Sequence, residues 1–280
     1  GFYNIDIDSS TLVDLSQATV KKQQYFNFDT CARLAQFIRR VEPKGITVSV
    51  GGEIGEVGHK NSTPEELRVF MDGFKERMRK GLTGISKISV QTGTSHGGVV
   101  LPDGSIAQVA LDFDTLKTLS EIARKEYGLA GAVQHGASTL PSAAFHKFAQ
   151  CETAEVHLAT EFQNMIYDSK HFPHELKEKI YAWLKVNAVS EKKDGETDEQ
   201  FFYKTRKKAL GPFKREIMGL SDSIRETIAL ELEAKFEFLF KQLKVINKKE
   251  LVDKYVSLKR VISRKRKEGA VLVHDGEGAD

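Results

Sequence analysis

The stretch LAGAVQHGAST (residues 129–139) decides how the chain is read. Leu129–Gln134 is a short apolar run beside a glycine, which reads as a buried strand. His135 and Gly136 follow at once, then Ala137 and Ser138. An imidazole is thereby placed at the tip of a strand, and the adjoining glycine lets a ligand come close to the backbone. The same order occurs upstream. Ser86–Gln91 reads as a strand, and Gly93-Thr94-Ser95-His96-Gly97-Gly98 follows it. Between the two lies LDFDTLKTLSEIARK (residues 111–125), in which Asp114 starts a helix with Leu116, Leu119 and Ile122 inward. Two neighbouring strand tips in this setting would point both imidazoles into one mouth.

The alternation continues in both directions. Tyr3–Asp8 and Ile46–Gly52 read as strands before this region, and Glu155–Leu158 as one after it. Asp29 reads as the cap of a helix whose Leu34, Phe37, Ile38 and Val41 recur at helical spacing, with Pro43-Lys44-Gly45 as its stop. Thr63-Pro64-Glu65-Glu66 has the form of a capping box, with Phe70, Met71, Phe74 and Met78 as the buried face that follows. Repeated strand-then-helix units imply parallel strands with crossover helices, hence an α/β fold. In a (β/α)8 TIM barrel, chemistry sits where the strands end.

The character changes after about residue 170. A short helix is expected over 173–187, a polar loop over Ser190–Glu199, and charged helices near 198–218, 222–243 and 248–266. Ile224, Ile228, Leu232, Phe236, Leu239 and Leu243 form a stripe, which either packs on the chain's own barrel or meets another subunit. The basic run at Lys259–Lys267 reads as a solvated helix end before an anion patch. Residues 1–170 are thus expected to be part of a barrel, 171–270 a helical extension, and 271–280 a disordered acidic tail.

A net charge of +3 gives no global attraction to nucleic acid or an anionic membrane, so neither is an expected partner. Cys31 and Cys151 fit no zinc-finger spacing and read as two reduced thiols of a cytoplasmic protein. The first residues show neither the basic nor the apolar segment of a signal peptide, and the sequence holds no run of about 18 apolar residues, so no spanning helix is expected.

Several other residues are candidates for chemistry. Glu53, in Gly51-Gly52-Glu53-Ile54-Gly55, is a metal ligand, an acid/base, or a hydrogen-bonded structural group. Asp8 caps a turn or lines the site. Gly97-Gly98, Gly136-Ala137-Ser138 and Thr160 offer places where backbone N–H groups bind a phosphate.

Five segments in order, IDIDSSTLVDLS (5–16), VGGEIGEVG (50–58), QTGTSHGG (91–98), VQHGAST (133–139) and EVHLATE (155–161), resemble the class II fructose- and tagatose-bisphosphate aldolases. The resemblance covers about residues 3–170 and, more weakly, 203–212. In that family these segments end strands four to eight of the barrel. The resemblance implies that His96 and His135 are two of three zinc ligands and that Glu53 lies beside the metal. It implies that Gly97, Gly136, Ser138 and Thr160 hold the phosphate of a dihydroxyacetone-phosphate half. Zinc or another divalent metal is the expected cofactor, with a monovalent cation as an additional ion. The expected substrate is a phosphorylated ketose, and the expected assembly a homo-oligomer.

Departures from the family fall around the substrate. The family's third histidine follows a catalytic aspartate on strand three, and no Asp-His pair occurs here. Strands one to three, with those residues, are therefore expected from outside this sequence, upstream or on a companion chain. The loop glutamate after strand five is replaced by Gly58-His59-Lys60-Asn61, with His59 or Glu56 as stand-ins. His157 stands where the family has asparagine, and Ala159 where it has aspartate. His157 is expected to bond a neighbouring loop, contact substrate or ligate metal, and it joins Glu53 as a candidate catalytic residue. The alternative to an active lyase is an altered barrel that binds a sugar phosphate or serves an assembly.

Overall fold

The computed structural model describes residues 3–55, 60–93, 101–102 and 111–256. Five parallel strands run side by side in chain order: β1 (Asn4–Asp6), β2 (Ser49–Glu53), β3 (Lys87–Val90), β4 (Ala132–Gln134) and β5 (Glu155–Val156). Helices α1 (Val20–Gln23) and α2 (Tyr25–Val41) join β1 to β2, α3 (Pro64–Arg77) joins β2 to β3, and α4 (Phe113–Lys125) joins β3 to β4. The short α5 (His146–Gln150) precedes β5. This is half of a parallel barrel. Among the described residues no strand pairs with the outer edge of β1 or of β5.

Strand pairing fixes the faces, because residues in register share one. Ile5, Val50, Ile88, Ala132 and Val156 point to the helices and into the main core. Asn4, Asp6, Gly51, Glu53, Lys87, Ser89 and Glu155 point the other way, into what would be the barrel interior. Gly51 is needed on that face. A Cβ there would lie 2.3 Å from Asp6 Oδ1 and 3.0 Å from Lys87 Cε. Its bare backbone lets the Lys87 side chain cross β2 to reach β1.

The Thr63 capping box forms as the sequence predicts, with Glu66 closing it. Leu116, Leu119 and Ile122 are buried. The reading of α2 needs correction. Its helix begins at Tyr25, and Asp29 lies inside it, paired with Arg77 at 3.2 Å. Leu34, Phe37 and Val41 are exposed. The buried side is Asn27, Phe28, Cys31, Ala32 and Ala35. Small residues let α2 sit close to its neighbours, and Gly73 of α3 makes room for the Phe28 ring, which a Cβ would meet at 2.6 Å. A search for large apolar side chains passes over such a face.

Downstream come α6 (Thr160–Asp168), α7 (His174–Asn187), α8 (Asp198–Thr205), α9 (Lys214–Met218), α10 (Asp222–Gln242) and α11 (Lys249–Tyr255). The single helix expected over 198–218 is broken. A 3₁₀ stretch, Arg206–Leu210, separates α8 from α9, and the Gly211-Pro212 pair that follows cannot continue an α-helix. The segments 259–267 and 271–280 lie outside the described residues. A second cluster of buried side chains is built around Tyr167, Ile180, Leu184, Phe201 and Phe213. Helix α10 serves both clusters. Ile224, Ile228 and Leu232 pack into the second, while Leu239 and Leu243 pack into the first. Among the described residues no helix is long and apolar enough to cross a membrane.

Arg206 anchors the second cluster. It is 3% exposed, donates to both oxygens of Asp168 at 2.7 and 2.8 Å, and lies over the rings of Tyr167 and Tyr203. Burial alone would raise the Asp168 carboxyl, but the Arg206 fork outweighs it and holds the group below the usual range. Arg206→Met removes the fork and leaves Asp168 half in solvent, so we expect a loss of about 2 kcal/mol. Chemical denaturation of the two proteins checks this, and an unchanged midpoint would refute it.

Candidate active site

The ends of four strands converge on the interior face. His135 follows β4. Its Nε2 lies 3.2 Å from Ser89 Oγ, and its Nδ1 lies 3.9 Å from Glu53 Oε1. The 3.9 Å spacing is too long for a hydrogen bond and suits two donors that share one ion. Glu53, 8% exposed, is held through its backbone: Asn27 Nδ2 donates to the Glu53 carbonyl at 2.9 Å, and Ser9 Oγ donates to Asn27 Oδ1 at 2.7 Å. Thr92 Oγ1 donates to Gln134 Oε1, and Gln134 Nε2 donates to the His135 carbonyl, which ties the ends of β3 and β4 together.

His157 follows β5. Its ring stacks on that of His135 with centroids 4.7 Å apart. Its Nε2 lies 2.9 Å from Glu155 Oε2 and 3.7 Å from Asp6 Oδ2. The partner is thus a residue of its own strand, not the neighbouring loop. An Nε2–H that donates to Glu155 leaves Nδ1 of the neutral ring as an acceptor.

Lys87 lies below, 2% exposed. Its ammonium donates to Glu155 Oε2 at 2.6 Å and Asn4 Oδ1 at 2.6 Å, and lies 3.1 Å from Asp6 Oδ1. The donor atoms of Asp6, Glu155 and His157 fall within 4.8 Å of one another, a spacing that suits a metal. The positive charge they surround here is the Lys87 ammonium. Burial pushes the Glu155 carboxyl up, but hydrogen bonds from His157 and Lys87, with the ammonium charge, hold it below the usual carboxylate range.

An open cleft of roughly 320 Å³ adjoins the histidines. Its lining includes His135, Gly136, Ser138, His157, Ala159 and Thr160. Gly136 has φ 68°, a left-handed conformation that glycine adopts without strain, and it turns the chain into the 3₁₀ segment Ala137–Thr139. Thr160 opens α6.

Of the residues singled out by sequence, Glu53 and His157 both neighbour His135, one at 3.9 Å from Nδ1 and the other stacked on its ring, and Gly136, Ser138 and Thr160 share the cleft with the two histidines. His96, Gly97, Glu56 and His59 lie outside the described residues. Asp8 caps its turn, accepting from Ser10 N and Oγ. The sequence reading missed Asp6, Lys87, Ser89 and Glu155. A signal was present: Lys87, Ser89 and Gln91, like Glu155 and His157, are polar at every second position of a strand. Cys31 and Cys151 are free and buried, and burial pushes the Cys31 thiol up to about 12, which removes it as a nucleophile. The His135 imidazole nitrogen beside the buried Glu53 carboxylate is a donor set that fits a divalent metal.

The family model described as fructose-bisphosphate aldolase class-II matches residues 7–220. No curated protein matches the chain. Among solved structures, the chain is similar to fructuronate-tagaturonate epimerase UxaE from Cohnella laeviribosi, with 11% identity, TM-score 0.54, and coverage of 87% of this chain and 64% of that one. It is also similar to a probable tagatose 6 phosphate kinase from Sinorhizobium meliloti 1021, with 14% identity, TM-score 0.52, and coverage of 90% and 63%. The YdjI aldolase from Escherichia coli K12 aligns at 15% identity and TM-score 0.38, over 76% of this chain and 59% of its own. The chain therefore spans less than two thirds of each of these structures. Such identities speak to fold alone.

Proposed function

We propose a reaction from one premise: the chain belongs to the class-II fructose-bisphosphate aldolase family. The reaction is metal-dependent aldol cleavage of a phosphorylated ketose, and its reverse, with dihydroxyacetone phosphate as one product. The observation that carries the reading is His135 at the tip of β4, 3.9 Å from Glu53 and beside the cleft of Gly136, Ser138 and Thr160.

In this reading His135 and His96 hold zinc or another divalent metal, with Glu53 beside them. A metal held there would supply Lewis-acid polarisation of the substrate ketone, which would make the neighbouring carbon easier to deprotonate. The backbone around Gly136, with the hydroxyls of Ser138 and Thr160, holds the phosphate and fixes the ketone's distance from His135. Glu53 accepts or returns a proton at its carboxylate. His157 turns Nδ1 toward the substrate while Glu155 holds Nε2, which keeps the ring in one orientation. A third metal ligand and the remaining strands come from an N-terminal part of the same barrel, upstream or on a companion chain. Among the described residues both outer edges of the sheet are unpaired, which supports this, because an open parallel sheet exposes backbone groups that pair elsewhere.

The test is release of dihydroxyacetone phosphate from fructose and tagatose bisphosphates by the complete protein. Release that a chelator abolishes and added metal restores is expected. No cleavage of either substrate with metal present overturns the proposal. The second reading is a barrel that binds a sugar phosphate without cleaving it. It is favoured by one observation: His157, in the place of the family's asparagine, is committed to Glu155.

His157→Asn restores the family's residue. We expect it to shift the preference among ketose phosphates, or move the pH–rate profile, by a factor of about 10² or more, with metal content unchanged. Identical profiles for parent and variant from pH 5 to 9 would reduce His157 to a structural role.

A further inference from the structure

An arginine-lined groove lies between α2 and the turn that follows α3. Its volume is roughly 700 Å³, and its lining includes Arg33, Phe37, Arg39, Arg40, Arg79 and Leu82. Among the described residues no Asp or Glu lines it. Arg39 is the fixed wall. Its side chain is 5% exposed and donates to the carbonyls of Val48, Thr83 and Gly84 at 2.7, 2.8 and 3.0 Å, and to Glu42 at 2.8 Å. Val48 precedes β2, and Thr83 and Gly84 precede β3, so the groove lies where these strands begin. The histidines and the phosphate cleft lie where strands end. Arg33, Arg40 and Arg79 are exposed, and among the described residues none of them pairs with a carboxylate. The acids near them in sequence are engaged elsewhere: Asp29 with Arg77, Glu42 with Arg39, and Glu76 with Lys21. Three like charges are thus held around one concavity, in a chain whose formal net charge is +3. An anion in the groove would relieve their repulsion.

We infer that this groove binds a nucleoside di- or triphosphate, with its phosphates on Arg33, Arg40 and Arg79 and its base against Phe37 and Leu82. Three features of the groove narrow the anion to this class. All its cations are arginines, whose planar forks match phosphate oxygens two at a time. Arg33 and Arg40 stand seven residues apart, about 10 Å along α2, which suits an extended chain of phosphates. The Phe37 ring is 49% exposed, and the Arg40 guanidinium lies 5.0 Å from its centroid, so an aromatic surface adjoins the charged one. A flat base can stack there, as bases do on aromatic side chains. A sugar bisphosphate has no flat ring to cover Phe37. A nucleic-acid strand would need attraction over a wider surface than this chain's net charge supplies. The volume falls in the range of small-ligand sites, about 300–1,000 Å³. Because the groove sits at the other end of the strands from His135 and Glu53, the inference does not rest on the aldolase reading.

Titration calorimetry on the complete protein tests it, with ATP, ADP, inorganic tripolyphosphate, fructose bisphosphate and a single-stranded oligonucleotide as probes. ATP and ADP should bind once per copy of this chain. Arg33→Ala and Arg79→Ala should each weaken ATP binding by about tenfold or more. Arg79→Lys keeps the charge and loses the fork, so its affinity should fall between those of the parent and Arg79→Ala. Phe37→Ala should weaken ATP by about fivefold or more while changing tripolyphosphate less. All three side chains are exposed, and circular dichroism confirms the fold of each variant. No binding of ATP or ADP, or binding that both arginine variants leave unchanged, would overturn the inference. Tripolyphosphate or fructose bisphosphate held as tightly as ATP would remove the base from the groove and overturn it too. An oligonucleotide held more tightly than ATP, and lost in the same variants, would make the groove a nucleic-acid contact and equally overturn it.

Discussion

Alanine at His135 is expected to lower the proposed cleavage of ketose bisphosphate by on the order of 10³-fold or more. In free energy that is about 4 kcal/mol of lost transition-state stabilisation. The imidazole has Ser89 Oγ 3.2 Å from one ring nitrogen, Glu53 Oε1 3.9 Å from the other, and the His157 ring on its face. Truncation leaves those neighbours open to water in the cleft, so the fold should survive and the chemistry should not. Bound metal, about one equivalent in the parent, should fall below about a tenth in the His96→Ala, His135→Ala double variant. The two readouts separate the roles. Activity lost with metal retained would make His135 a substrate contact; metal and activity both retained would remove it from the site.

Methionine at Lys87 is expected to destabilise the protein by about 3 kcal/mol. Among the described residues, the ammonium is the one lysine or arginine charge placed between Asp6 and Glu155, and its loss leaves two carboxylates side by side on a half-closed face. For a chain of this size the melting temperature should fall by roughly 6–12 °C. The effect should depend on pH in a definite direction. The Glu155 carboxyl is depressed in the fold, so its stabilisation is present above the ordinary carboxylate value of 4.5 and lost as pH falls through the lower, folded value. Parent and variant should therefore differ fully at neutral pH and converge in acid. Adding Glu155→Gln to Lys87→Met should recover part of the loss. Equal melting temperatures for parent and Lys87→Met at pH 7 would show that the ammonium contributes nothing.

The strand tips were legible because glycine and histidine stand out at the end of an apolar run, and Glu53 and His135 were found on that basis, while His157 was singled out only by its place against the resembled family's asparagine. The capping box at Thr63 was legible because its bonds are local. Lys87, Asp6 and Glu155 were not. A charged residue in a strand reads as facing solvent, and only the closing of strands around an interior makes the same position a buried one. The period of two was visible, but its sign depends on which face the helices cover, and that is a tertiary fact. The face of α2 was misread for a related reason. Its contact with the sheet runs through Ala32, Ala35 and Cys31, and close packing of small residues carries no hydrophobic peak. The break before α9 was available in Gly211-Pro212 and was passed over for the charge pattern around it.

Helix α10 reaches back to the sheet. Leu239 and Leu243 finish a core whose other members end near residue 162. The first core thus depends on contacts across some eighty residues of chain, all of the second cluster's helices among them. Long-range closure of this kind slows folding. During synthesis the sheet and its helices emerge first and must wait, with one wall of their core unsealed, until α10 has been made. Apolar surface is exposed in that interval, when a nascent chain is most prone to aggregate. The last long helix is in this sense a late-arriving seal, and slower translation ahead of it would prolong the risk rather than relieve it.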